Sequence, residues 1–279
     1  FGGAGMSYMQ AGLVCQAFGR WNHAMALSWI AHDNLCLDNI YRNGSQYIRE
    51  KYLPGLCSGE LVGALGLTEP GAGSDALGSM RTIAKKEGDH YVLNGSKTYI
   101  TNGSIADVVI VYAKTDVNKG NKGITAFVVE TNNPGFKVVS KLKKMGFRGS
   151  QTSELFFENL KVSEKNILGK EGQGHVVAMN GLDFERAMIA PISLGISERA
   201  LEISIEYAKI REQFGKPISS FQMIQSKLAD MYTWVQSIKV FVYVVLAVCD
   251  ATDKKDGGVV QSHMCTSTSV MHTAATSNK

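Results

Sequence analysis

The 279-residue chain predicts an α+β fold with a helical start, an antiparallel sheet or barrel in the middle and a helical end. Three observations predict it. Helical spacing of apolar residues dominates 1–58 and returns after 164. Short apolar runs bounded by turn residues fill 59–163, and no helix-period segment interrupts them. Length alone favours about two domains of ~100–200 residues. The changes of period instead divide the chain into an N-terminal helical domain at 1–58, a middle β domain at 59–163 and a C-terminal helical bundle at 164–279.

The first zone carries Tyr8 to Ala17 and Trp21 to Tyr41, both rich in Ala, Leu, Ile and Met. Asn43-Gly44 marks a turn. A short helix is expected from Ser45 to Tyr52, with Pro54-Gly55 ending it. In the middle zone Val62 to Leu67 is a short strand. His90 to Leu93 and Ser96 to Ile100 flank Asn94-Gly95, a dipeptide suited to a type I′ hairpin turn. Val108 to Tyr112, Ile124 to Val129 and Leu155 to Phe157 are further strands. In the last zone Ile192, Ile196, Ala200, Ile203, Tyr207 and Ile210 share one helix face. Gly215-Lys216-Pro217 breaks the chain, and Ser219 or Ser220 is placed to cap the next helix. There Ile224, Leu228, Met231, Val235, Ile238, Val242 and Val245 alternate steps of four and three. Two such helices with a short connection should pack antiparallel. Asp253 to Gly258 reads as a polar loop.

Composition excludes several function classes. The chain is 44% hydrophobic and 19% charged, with a formal net charge of only +4. It has enough apolar content for a core, and it lacks the dense basic stripe of a nucleic-acid binder. The cluster Lys141, Lys143, Lys144 and Arg148 is either a solvated loop or an attractor for an anionic ligand such as a phosphate. Cys15, Cys36, Cys57, Cys249 and Cys265 lack metal or redox spacing and read as reduced, mostly buried thiols. His32, in a mostly apolar helix, reads as a satisfied structural histidine. The apolar run Val240 to Cys249 is shorter than the ~20 residues a membrane span needs.

Four segments hold candidate chemistry. Leu65, Gly66, Leu67, Thr68, Glu69, Pro70, Gly71, Ala72, Gly73, Ser74 and Asp75 form a strand running into a small-residue loop. Without Cβ atoms at Gly71 and Gly73, backbone N–H groups can approach a planar or phosphorylated ligand. A tight surface turn accounts for the same residues. Tyr99, Ile100, Thr101, Asn102 and Gly103 place an aromatic and a hydroxyl at a strand end, where they line a cofactor edge or simply lead into a turn. Asp183, Phe184, Glu185 and Arg186 set two acids and a base among apolar neighbours. Either a carboxylate there is a base of raised pKa, or Asp183 caps a helix and Glu185 pairs with Arg186 at the surface. Arg211 to Ile218, with Phe221 and Gln222, ends one helix and begins another. Arg211 either complements a helix C-terminus or presents a fork to a pyrophosphate.

Taken together, the TEPGAGSD loop, the ITNG strand end, the GFRGSQTSELFFE segment and the REQFGKPI–FQ junction resemble the acyl-CoA dehydrogenase family, in its order and spacing. The resemblance runs from the first helices to about Cys249. It implies a helical domain, a β domain and a helical bundle, FAD bound between the last two, and a homotetramer. Leu65 to Ser74 would wrap the flavin, with Thr68 on its pyrimidine edge and Ser74 touching the acyl-CoA. Tyr99, Ile100 and Thr101 would stand at the flavin, with Tyr99 where the family usually has Trp. Arg211, Phe214 and Gln222 would contact FAD, and Asp183 to Arg186 would lie along the substrate. The reaction implied is α,β-dehydrogenation of an acyl-CoA, with electrons passed to an electron-transfer flavoprotein. Placing the base in this helix, at Glu185, resembles the isovaleryl-CoA branch and a short branched acyl group. Another acyl specificity, an oxygen-using flavin oxidase and a non-catalytic acyl-CoA or flavin-binding fragment are the alternatives. Bacterial cytoplasm and mitochondrial matrix both fit. Against the family pattern both ends read as truncated, so weak FAD retention is expected of the chain as given.

Overall fold

The computed structural model describes residues 1–252. Cys265 and the polar loop expected at Asp253 to Gly258 lie outside the described residues. The elements follow the helix–sheet–helix order, and the chain packs as two compact units. One unit comprises Phe1–Ala4 with Leu27–Leu182. The other comprises Gly5–Ala26 with Asp183 onward.

Helix α1 (Tyr8–Ile30) belongs to the second unit as far as Ala26 and to the first from Leu27, and its hydrogen-bonded run is interrupted at Asn22 (φ −152°, ψ 77°). The Asn22 side chain accepts from the Met25 N–H, so it caps the segment that follows, as an asparagine at a helix start does. A π-helical stretch (Ala31–Asp38) and α2 (Asn39–Asn43) continue to Gly44. Ser45 caps α3 (Gln46–Ser58) by accepting from the Ile48 N–H. The expectation that Pro54-Gly55 ends this helix is corrected. α3 runs through both residues and stops at Gly59, whose φ of 81° is the left-handed C-terminal conformation. Buried Tyr52, Leu53 and Leu56 hold the segment helical around the missing Pro54 N–H.

The sheet is built from β1 (Gly63–Gly66), β2 (Ile83–Glu87), β3 (His90–Thr101), β4 (Val108–Lys114), β5 (Ile124–Glu130), β6 (Phe136–Lys141), β7 (Thr152–Ser163) and β8 (Ile167–Leu168). The strand order is β6-β7-β3-β2-β4-β5-β8, with β1 beside β4. Most pairs are antiparallel, but β1 and β2 each run parallel to β4, which a purely antiparallel expectation misses. The Asn94-Gly95 hairpin is also corrected. β3 runs straight through the dipeptide, and the β2–β3 turn lies at Gly88-Asp89. Gly95 instead marks a register shift against β7, where its φ of 152° and the neighbouring Thr82 leave no space for a Cβ. Two apolar clusters carry this unit. One contains Tyr112, Ile110 and Val128 with α3 residues. The other contains Tyr91, Leu93, Phe127 and Phe157.

Helix α4 (Gly174–Ile210) begins in the first unit and continues into the second. After it come β9 (Glu212–Gln213), β10 (Lys216–Pro217) and α5 (Gln222–Thr252). Phe214 (φ 53°) and Gly215 (φ 74°) make the tight β9–β10 turn, so the chain break is a two-residue hairpin. Neither serine caps α5 through its oxygen. The Ser220 hydroxyl instead donates to the Pro217 carbonyl at 2.7 Å, holding the turn.

The predicted α5 face is buried from Val235 through Ile238, Val242 and Val245. The face predicted on α4 is buried only at its start. Ile203, Tyr207 and Ile210 are exposed, and Leu194, Leu201 and Ala208 are buried in their stead. Val240 to Cys249 lies within the 31-residue helix α5. α5 is long and apolar enough to cross a bilayer by length and composition, a test that the core helix of a bundle also passes. In the second unit Gly19 and Gly195 sit where a Cβ would collide with backbone of the facing helix, allowing α1 and α4 to cross closely. The Asp250 carboxylate accepts from the Tyr8 and Met9 N–H groups and so caps α1.

Candidate active site

The loop after β1 is held from beneath. The Glu69 and Ala72 backbones bond reciprocally, at 3.1 and 3.0 Å, closing the turn. The Glu69 carboxylate is buried. It accepts from the N–H groups of Arg81 (2.7 Å) and Thr82 (2.9 Å), from the Thr82 hydroxyl (2.6 Å) and from the Lys97 ammonium (2.9 Å). Burial alone would raise its pKa, but the Lys97 charge and the Thr82 donors outweigh that and hold it below the usual range. The Glu69 side chain therefore clamps the loop from inside instead of facing outward with Ser74. Sequence reasoning did not single out Lys97 or Thr82. A lysine that alternates into the interior of a strand is the signal that would have found Lys97.

The loop's outer side is open. An added Cβ at Gly71 or Gly73 would meet nothing within 4 Å. The Thr98 N–H donates to the Thr68 carbonyl at 2.9 Å, so the loop and the second half of β3 lie side by side. Just beyond, Tyr99 turns outward with φ 60° at a register shift in β3 and is 69% exposed. An exposed aromatic at positive φ is a strained arrangement for a non-glycine residue, and such strain gathers at functional sites. Thr101 pairs with Thr152 at the strand end. Asn102 (φ 63°) anchors the turn by donating from Nδ2 to the Ser28 carbonyl at 2.8 Å, while its N–H donates to Gln151. Leu65 to Ser74 and Tyr99 to Thr101 are thus brought together on one side of the first unit. An open small-residue loop, hydroxyl groups at Thr68 and Thr101 and an exposed aromatic suit a planar heteroaromatic ligand.

Among the described residues the shallow surface depression lined by Ser45, Tyr47, Lys165 and Lys170 contains none of the predicted residues. In the basic cluster Lys144 donates to the Ser150 carbonyl and the Thr152 hydroxyl, and Arg148 donates to the Lys144 carbonyl, so part of that charge holds its own loop.

In the second unit Asp183 lies well inside α4, which begins at Gly174, and is not a helix cap. It accepts from Arg186 at 3.0 Å, so the pair in this segment is Asp183–Arg186 and not Glu185–Arg186. Phe184 stacks on Tyr8, with ring centroids 5.0 Å apart. Glu185 is partly buried, and among the described residues its carboxylate has no ion pair. Burial raises its pKa to about 6, with the Arg186 charge opposing. That places its titration near neutrality, as a general base requires. Arg211 and Gln222 are exposed on either side of the β9–β10 hairpin. Phe214 is 91% exposed and packs edge-on to Phe221 at 6.0 Å.

His32 satisfies both ring nitrogens. The Gly63 N–H donates to Nδ1 at 2.9 Å, so Nε2 carries the proton and donates to the Leu56 carbonyl at 3.1 Å. The ring is neutral and structural, and burial holds its pKa below the ordinary value. Among the described residues Cys15, Cys36, Cys57 and Cys249 form no disulfide, and no cluster of metal ligands is present.

Three family models cover the chain in order: the acyl-CoA dehydrogenase N-terminal domain at residues 1–60, the middle domain at 64–160 and the C-terminal domain at 172–277. The mitochondrial isovaleryl-CoA dehydrogenase of Pongo abelii is 48% identical over 265 residues, 93% of this chain and 62% of its own length. The mitochondrial 2-methylacyl-CoA dehydrogenase of Solanum tuberosum is 46% identical over 258 residues, 92% of this chain and 62% of the relative. The chain thus spans less than two thirds of these relatives. The butyryl-CoA dehydrogenase structure from Megasphaera elsdenii superposes with a TM-score of 0.89 at 40% identity, covering 98% of this chain and 72% of that one.

Proposed function

The chain belongs to the acyl-CoA dehydrogenase family, and on that footing we propose that it carries the site of an FAD-dependent α,β-dehydrogenation of a short branched acyl-CoA resembling isovaleryl-CoA. The observation that carries the reading is Glu185. A partly buried carboxylate with no ion pair among the described residues, its pKa raised to about 6 by burial, is suited to removing the α-proton of a thioester. Bound FAD would supply the hydride acceptor, and the chain's own residues set geometry and electrostatics. Leu65 to Ser74 would hold the flavin through backbone groups, with Thr68 and Thr101 as donors and Tyr99 against the ring. Arg211, Phe214 and Gln222 would meet the rest of the cofactor. Asp183, Phe184 and Arg186 would line the acyl-CoA, with the Asp183–Arg186 bond fixing the helix surface beside the base.

Electrons would leave to an electron-transfer flavoprotein. The working assembly is proposed as a homotetramer, located in a bacterial cytoplasm or a mitochondrial matrix. The division into 1–58, 59–163 and 164–279 is retained as the domain proposal, supported by the three family-model matches. A 2-methylacyl-CoA substrate is a second reading, favoured by the 46% identity to a 2-methylacyl-CoA dehydrogenase. The experiment is an anaerobic visible spectrum of the protein with FAD, titrated separately with isovaleryl-, 2-methylbutyryl- and butyryl-CoA. Bleaching of the flavin band first and fastest with isovaleryl-CoA is expected. Faster bleaching by either of the others would reassign the acyl group, and no bleaching by any acyl-CoA would remove the dehydrogenase reading.

A further inference from the structure

Lys97 is a lysine whose side chain is completely out of water, in the middle of β3. A buried ammonium is costly unless it is paired and hydrogen-bonded. It donates to Glu69 Oε1 at 2.9 Å and to the Leu67 carbonyl at 3.1 Å. Leu67 C=O and Thr68 N–H are the two ends of one planar, trans peptide group. A cation on the carbonyl end polarises that group and strengthens the N–H as a donor, because hydrogen bonds in a chain reinforce one another at low dielectric. Trans geometry aims the N–H away from the carbonyl, and therefore away from Lys97. The next peptide is also fixed, since the Thr68 carbonyl accepts from Thr98 N–H. Among the described residues the Thr68 N–H donates to no other backbone group outside the regular elements.

We propose that Lys97 is a positioning residue for the candidate flavin site. Through the Leu67 carbonyl and Glu69 it fixes the Leu67–Thr68 peptide and presents a strengthened Thr68 N–H to the electron-rich edge of the bound ring. The inference rests on the flavin reading of this loop and adds a residue that lies behind the loop. A purely structural ion pair would hold the same strands together without favouring any ligand.

The test compares the wild-type protein with Lys97→Met, Glu69→Gln and the double variant Glu69→Gln/Lys97→Met. Lys97→Met alone leaves a buried carboxylate without its counter-ion and is expected to lose thermal stability. The double variant removes both charges and is expected to melt within a few degrees of wild type. Its affinity for FAD, read by flavin fluorescence quenching, should nevertheless fall by about tenfold, the equivalent of one charge-assisted hydrogen bond. The absorption band of its bound flavin should shift, and its reduction potential should drop.

Glu69→Gln strips the buried lysine of its counter-ion, so it loses its proton and its charge on the Leu67 carbonyl, and FAD affinity should fall by about tenfold here too. A well-folded double variant with wild-type affinity, spectrum and potential would overturn the proposal while leaving the flavin reading intact. If the double variant does not fold, a folded Glu69→Gln with wild-type affinity and spectrum does the same. Absence of saturable FAD quenching in the wild type would instead remove the flavin reading, and this proposal with it.

Discussion

A histidine and a glutamate in helices carry opposite messages, and partners decide between them. His32 has both ring nitrogens engaged, one accepting from Gly63 and one donating to Leu56. Replacing it by alanine leaves a buried N–H and a buried carbonyl unpaired and is expected to cost about 2–4 kcal/mol. A clear fall in thermal midpoint, with FAD affinity unchanged once folded, is the outcome sought. Glu185 has burial and, among the described residues, no ion pair, and burial raises its pKa to about 6. Its deprotonated form is the base, so turnover should rise with pH through about 6 and then level. Glu185→Gln should lower turnover by about 10²–10⁴ while flavin stays bound. Unchanged turnover in that variant would end its assignment as base. The linked stability effect has the opposite sense. A carboxyl whose folded pKa lies above its unfolded value contributes stability at low pH, lost as pH rises through about 6. Thermal midpoints of Glu185→Gln and wild type should therefore draw apart between the ordinary carboxyl range and pH 6, with the variant gaining at the higher pH.

Glycines that look alike in sequence separate at the level of elements. Gly71 and Gly73 have ordinary φ and open space beside them, whereas Gly195 faces the backbone of α1 at a helix crossing. Gly71→Ala should leave the thermal midpoint unchanged or raise it by the equivalent of about 0.4–1 kcal/mol, through the unfolded chain. If the loop holds a flavin, the same change should weaken FAD binding. Gly195→Ala forces the helices apart and should cost about 1–3 kcal/mol. Equal melting of the two variants would contradict this division. The element level is also where local pattern misleads. Asn94-Gly95 has the residues of a hairpin turn, yet pairing with β7 absorbs it as a register shift, and Gly88 makes the turn. Pro54 has the residues of a helix stop, yet burial of Leu53 and Leu56 carries α3 past it. In both cases long-range packing outweighs a local preference of about 1–3 kcal/mol.

For the molecule as a whole, the exposed apolar residues of the second unit bear on assembly. Ile203, Tyr207, Ile210 and Phe214 stand exposed in a chain whose proposed working form is a homotetramer. Sedimentation of the protein with FAD should give four times the chain mass. A monomer that still binds flavin and turns over would remove the tetramer from the proposal.

The sequence by itself determined the helix–sheet–helix order, the α5 face from Val235 to Val245 and the family, because periodicity and four motifs in order survive whatever surrounds them. It also placed Leu65 to Ser74 and Tyr99 to Thr101 as candidate segments. Only the tertiary structure put those segments side by side, through Thr98 and Thr68. It alone turned Glu69 inward onto Lys97, paired Asp183 with Arg186 and left Glu185 without an ion pair among the described residues. A side chain's charge state and direction depend on neighbours distant in sequence, and no local spacing encodes them.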